Sequence, residues 1–203
     1  MTSERPSGFF GARFSLYPMT DHYVPVVLAA IEGLQEGNLE IDTDDVSTFI
    51  GGDRDAIFAS LERIFATAAR GGEHVVMTAL LSHGCPGEEV CEPAEASPER
   101  PTVQNTRTGP SARGTGIDVS CQWSLYPLGV PGYMDAIYRA IALTKQAGIH
   151  EAGRHFVSHL RGDLGHVLET IRRAFDDSCR TSAHVTAHLV LSANSPTPRG
   201  DER

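Results

Sequence analysis

A chain of 203 residues with 40% hydrophobic and 21% charged residues has the make-up of an ordinary globular protein, with room for one large domain or two small ones. Its formal net charge of −9 repels phosphate backbones and sets nucleic acid aside as a partner. No apolar run approaches the roughly 20 residues of a membrane-spanning helix, and the opening MTSERPSGFF has no apolar core of signal-peptide kind, so no membrane partner and a cytoplasmic location are expected.

In chain order, the first eight residues are loose in composition. Arg13 to Tyr17 alternates apolar and polar until Pro18 stops it, which predicts a strand. Asp21 to Gln35 predicts a helix with Asp21 as its cap, Pro25 tolerated in its first turn, and Val24, Val27, Leu28, Ile31 and Leu34 as its apolar stripe. Leu39–Ile41 and Val46–Ile50 read as short strands joined by the turn-forming DTDD. Asp53 then caps a second helix to about Ala69, whose buried stripe is Ile57, Leu61, Ile64 and Phe65 and which a Gly-Gly pair ends. His74 to Ser82 is the last and most apolar strand of this series.

Gly84 to Gly116 follows, rich in Pro, Gly, Glu and Ser and almost free of large apolar residues, so it reads as a disordered linker. Beyond it the chain repeats itself. FSLYPM, Phe14 to Met19, returns as WSLYPL, Trp123 to Leu128; after one inserted residue, Tyr23 matches Tyr133, Gly52-Asp53 matches Gly162-Asp163, and His74-Val75 matches His184-Val185. The second copy predicts strands at Ser120–Tyr126, Ile149–Glu151, His155–Leu160 and His184–Ser192, and helices at Tyr133–Ala147 and Asp163–Cys179. The closing SPTPRGDER is loose again.

The order βαββαβ, written twice, predicts an α+β protein of two tandem ferredoxin-like repeats, each an antiparallel sheet with its helices on one face. Residues 9–83 form the first repeat, 84–116 the linker and 117–196 the second repeat.

RFSLYPMTDHYVPVV, DVSTFIGG followed by Asp53, LLSHGCPG closing the first copy and LVLSANSP closing the second together resemble the YkoF family, over nearly everything outside linker and tails. That family comprises tandem ferredoxin-like proteins that bind thiamine and its hydroxymethylpyrimidine moiety. The resemblance implies a cytoplasmic, non-catalytic binding protein of thiamine salvage or transport, with one small-molecule site per repeat and a homodimeric assembly. An ACT-like regulatory module sensing an amino acid or another small metabolite shares the element order, because fold does not fix function.

Residue chemistry places the expected sites. Thr48 and Ser158 put a hydroxyl at the centre of an apolar strand face, flanked by Val46 and Ile50 in one copy and Phe156 and Leu160 in the other. Such a hydroxyl needs a hydrogen bond, from nearby backbone or from a ligand; the family resemblance favours the ligand. Phe14 and Leu16, like Trp123 and Leu125, share that face, so the backbone of Leu16 and Leu125 supplies edge groups and the aromatic rings supply walls for a flat aminopyrimidine. Ser15, Tyr17, Ser124 and Tyr126 take the opposite face and suit a subunit interface as well as a site. Asp53 and Asp163 are helix caps or partners for a ligand amino group.

Cys85, Cys91, Cys121 and Cys179 lack CxxC spacing and read as plain thiols. The second copy is histidine-rich, with His155, His159, His166, His184 and His188, yet no HExxH pairing occurs, so no metal is expected. There is no GxSxG, P-loop or GxGxxG after a strand, and no cofactor is expected. No glycine-rich phosphate cradle or arginine cluster shows in the letters, which disfavours a diphosphate ligand.

Overall fold

The computed structural model describes residues 9–34, 39–84 and 114–197; the first eight residues, the closing stretch beyond Thr197 and most of the linker, 85–113, lie outside the described residues. Each copy contributes four strands and two helices. The first holds β1 (Phe10–Pro18), α1 (Tyr23–Ile31), β2 (Glu40–Thr43), β3 (Thr48–Gly51), α2 (Arg54–Ala69) and β4 (Val75–His83). The second holds β5 (Asp118–Leu128), α3 (Tyr133–Gln146), β6 (His150–Arg154), β7 (Val157–Asp163), α4 (Leu164–Cys179) and β8 (His184–Ala193).

The two halves share one antiparallel sheet in the order β2-β3-β1-β4-β8-β5-β7-β6. Its join is the β4–β8 ladder, which runs from Val75↔Ala193 to His83↔Val185. Pairing the two apolar inner strands removes what would otherwise be two exposed sheet edges. Strand alternation sends Phe10, Ala12 and Phe14, Val75, Met77, Ala79 and Leu81, and Val185, Ala187, Leu189 and Leu191 into one continuous core with the helix stripes. The opposite face carries the alternate residues. Among the described residues no helix is long and apolar enough to cross a membrane.

Several boundaries differ from the sequence reading, each for a local reason. β1 starts at Phe10 rather than Arg13. Gly11 breaks the alternation in the letters because the Phe49 ring needs its space: a Cβ there would stand 2.6 Å from Phe49 Cε2. Asp21 does not cap α1, whose N-cap is His22 without a side-chain hydrogen bond. The helix buries Ala30, with Leu34 just beyond it, while Val24 and Leu28 stay exposed. A segment apolar on almost every side cannot declare its inner face by periodicity.

Val46 and Phe156 are the largest corrections. Both read as inward strand residues, and both sit in hairpin turns, 73% and 96% exposed. In the first copy the Asp44 carboxylate accepts the amides of Val46 (2.8 Å) and Ser47 (2.7 Å), shifting the turn past DTDD, and those bonds hold its carboxyl below the usual range. In the second, Phe156 takes a left-handed backbone at φ 68°, a conformation uncommon for a bulky residue.

The helix layer has its own join. Arg54, at the start of α2, pairs with Asp176 of α4 and lies over the rings of Phe10 (5.0 Å) and Phe175 (5.7 Å). Arg172 of α4 reaches Asp55 of α2 at 3.2 Å as well as Asp176 at 2.8 Å. On the β4–β8 side His74 meets Ser192 Oγ at 3.1 Å, and Asn194 Nδ2 donates to the carbonyls of Ala69 (2.8 Å) and Glu73 (2.9 Å). The histidine at this strand entrance is therefore spent on a hydrogen bond between the halves.

Candidate ligand-binding site

The register lines up one row of residues across all eight strands on the helix-covered face: Thr43, Thr48, Phe14, Ala79, Leu189, Trp123, Ser158 and Gly153. The row reads hydroxyl, aromatic, small on one side of the join and large aliphatic, aromatic, hydroxyl on the other. Thr48 is thus the cross-strand neighbour of Phe14, and Ser158 that of Trp123, at the spacing where same-face side chains touch. The β1–β3 ladder ends at Phe14↔Thr48 and the β5–β7 ladder at Trp123↔Ser158, so neither outer strand pairs with the main chain of Leu16 or Leu125. Leu125 is buried, and Leu16 is half-buried against the core.

The two copies differ at the hydroxyl. In the first, Thr48 Oγ1 and Thr43 Oγ1 lie 3.1 Å apart and satisfy each other. In the second the residue matching Thr43 is Gly153, and the Ser158 hydroxyl has no hydrogen-bond partner among the described residues. Beside it, Trp123 is 2% exposed and its Nε1 is buried with no partner. A buried indole N–H ordinarily finds an acceptor, and leaving it bare costs about 1–3 kcal/mol. Trp123 Nε1 is thus a buried donor without an acceptor, and the part-exposed Ser158 hydroxyl on the neighbouring strand is left without a protein partner among the described residues.

The remaining expected residues are placed elsewhere. Ser15 and Ser124 face away from the helices and act alike. Ser15 Oγ donates to Val46 O at 2.9 Å and Ser124 Oγ to Phe156 O at 3.0 Å, tying down the two hairpin turns. Tyr17 and Tyr126, each 46% exposed, stand on the open face of the sheet. Asp53 and Asp163 lie at the far ends of β3 and β7 from Thr48 and Ser158, as N-caps of α2 and α4. Asp53 accepts the Ala56 amide at 2.9 Å.

Asp163 does more, taking the amides of Thr115 (2.8 Å), Gly116 (2.7 Å) and Gly165 (2.9 Å) and the Thr115 hydroxyl (3.2 Å). Burial alone would raise its pKa, but these donors outweigh it and hold the carboxyl below its usual range. Gly114–Gly116, assigned to the linker on composition, are thereby fastened to the second copy.

Sequence reasoning missed Thr43 and Gly153, although aligning the two copies pairs them, and it treated Trp123 as a wall without asking where its N–H goes. Cys121 is buried and free, its thiol pushed up to about 12 by that burial, and is inert as a nucleophile. Cys179, at the end of α4, is half-buried, and Cys85 and Cys91 lie outside the described residues. The described residues contain no group of His, Cys, Asp and Glu arranged to hold a metal.

Fold and site together define a duplicated ferredoxin-like α+β protein whose halves share one sheet and carry paired, partly unsatisfied hydroxyl positions beneath their helices. The profile of the YKOF-related family matches residues 9–88 and 118–198. The chain is also 33% identical over 187 residues, 92% of its length and 91% of the relative's, to a Bacillus subtilis (strain 168) protein named "Putative HMP/thiamine-binding protein YkoF". The chain belongs to the YKOF-related family, as the doubled motifs implied.

Proposed function

We propose that the protein is a non-catalytic binder of thiamine or its hydroxymethylpyrimidine moiety, one site per repeat, acting in the cytoplasm as a homodimer in thiamine salvage or transport. The observation that carries this reading is the bare Trp123 Nε1 beside the unpartnered Ser158 hydroxyl. An aminopyrimidine offers ring nitrogens to accept from both and an amino group to donate to the main chain near Leu125. Its flat ring suits the Trp123 and Leu125 walls, and the relative's name points to the same ligand class. The first repeat follows the same plan with Phe14, Leu16 and Thr48, but ligand there has to compete with the Thr43–Thr48 hydrogen bond. The second site is therefore the tighter of the two.

Calorimetric titration with thiamine and with hydroxymethylpyrimidine tests the proposal. Two binding events are expected, with Ser158→Ala weakening the tighter and Thr48→Val the other, each by roughly tenfold, the worth of one hydrogen bond to a buried polar edge. Unchanged titrations in both variants, or no heat with either compound at millimolar concentration, would refute it. Native-state binding also raises the melting temperature, which gives an independent readout.

A further inference from the structure

On the opposite face of the sheet, over the second repeat, lies a groove of about 1030 Å³ that includes none of the residues of the proposed pyrimidine sites. Its floor is the cross-strand row Ser192, Ser120 and Arg161. Arg154 of β6 and Arg70 from the end of α2 also line it. Arg154 and Arg161 belong to one hairpin, β6–β7, whereas Arg70 comes from the other copy and joins them through the β4–β8 pairing. In a chain of net charge −9, that is a local reversal of sign.

The acidic lining does not cancel it. Glu151 is held between Arg161 Nη1 at 3.4 Å and His159 Nδ1 at 2.6 Å, and Asp118 lies 3.9 Å from Arg161 Nε. The guanidinium groups of Arg70 and Arg154 have no hydrogen bond or ion pair among the described residues. The first repeat offers nothing equivalent. Where the second has Arg161, His159 and Arg154, the first has Gly51, Phe49 and Asp44, and its open face at that place is covered by the stacked rings of Phe9 and Phe49, 6.0 Å apart. After duplication, one copy closed this surface with aromatics and the other opened it with arginines and hydroxyls.

We infer that the groove is a second kind of binding site, for the phosphoryl group of a small phosphorylated metabolite. Guanidinium forks match phosphate oxygens two at a time, and the hydroxyls of Ser120 and Ser192 line the groove beside them. The groove is open and larger than a bare phosphate, which leaves room for an organic group beside the anion.

The test uses the full chain and inorganic pyrophosphate as probe, followed by titration calorimetry at low and at moderate salt. Saturable binding is expected, weakened by added salt and reduced about tenfold or more by Arg154→Ala and by Arg70→Ala, each removing one charge-assisted contact. Arg180→Ala, which changes the residue matching Arg70 in the second copy but outside the groove, is expected to leave binding unchanged. No saturable binding, equal binding of sulfate, undiminished binding in both groove variants, or an equal loss in Arg180→Ala would each overturn the inference. Ser158→Ala is expected to leave the pyrophosphate titration untouched, so the groove and the pyrimidine sites stand or fall separately.

Discussion

Phe175→Ala is expected to lower the stability of the folded chain by about 3–5 kcal/mol, the range for deleting a fully buried phenylalanine. At about 2–4 °C per kcal/mol for a chain of this size, the melting temperature should fall by at least 6 °C or so. Phe175 is fully buried, meets Phe10 of β1 edge-on at 5.6 Å and lies under Arg54 of α2. Its removal opens a cavity and also strips one of two rings from a cation whose Nε is already buried without a partner. Phe65, the matching residue of the first copy, is equally buried and serves as the control. Phe65→Ala should cost the cavity alone, roughly 1 kcal/mol less. Thermal melts in which the two variants are indistinguishable would show that Arg54 contributes nothing at the join. Phe175→Leu, which refills most of the space, should restore the greater part of the loss.

The difference between the two phenylalanines shows how duplicated halves become one body. The residues that bind α2 to α4 break the internal symmetry: Arg54 stands where the second copy has Leu164, and Asp176 and Arg172 stand where the first has Ala66 and Glu62. An ion pair partly covered by rings is worth more than an exposed one, because water screens it less. His83 reports the same setting. Burial, with Arg54 near by, lowers its pKa, so it stays neutral beside the guanidinium and its Nδ1 lies 3.2 Å from Arg54 Nη2.

The duplication, the element order and the face of each long strand were readable because alternation and a repeated phrase are one-dimensional signals. Phe14, Leu16, Trp123 and Leu125 point toward the helices as their period-two pattern requires. Val46 and Phe156 misled for the same reason: an apolar letter extending an alternating run reads as strand, while the turn that ends the run is made by the Asp44 carboxylate in one copy and a left-handed Phe156 in the other. Neither has a periodic signature. The Arg54–Asp176 join and the groove arginines were illegible for a different cause. The Arg54–Asp176 pair, and the arrival of Arg70 beside the β6–β7 hairpin that carries Arg154 and Arg161, depend on how the two copies pair along β4 and β8, and nothing in either copy alone states that register. The hydroxyls at Thr48 and Ser158 were visible as anomalies, but that one is satisfied by Thr43 and the other is bare follows from a hairpin register that the sequence places two residues off.

Replacing the two matched helix caps should separate them sharply. Asp53→Ala removes a single amide bond at an exposed N-cap and is expected to cost about 1 kcal/mol. Asp163→Ala removes the acceptor for three amides and a hydroxyl, which also fasten Thr115 and Gly116 to the second repeat, and hydrogen bonds to a charged group count for more than neutral ones. Its expected cost is about 2–4 kcal/mol. The sign of the pH dependence follows from the direction of the shift. With its folded pKa below the unfolded one, near 3.9, Asp163 contributes in full at neutral pH and loses its contribution as pH falls through the lowered value. Denaturant melts at neutral pH should therefore show the large gap between wild type and Asp163→Ala, and melts below the folded pKa should show it narrowed. Equal losses for the two caps at neutral pH would mean that the Thr115 and Gly116 bonds are matched by solvent. A gap that stays constant into acid would mean that charge on the carboxylate has no part in holding the start of the second repeat.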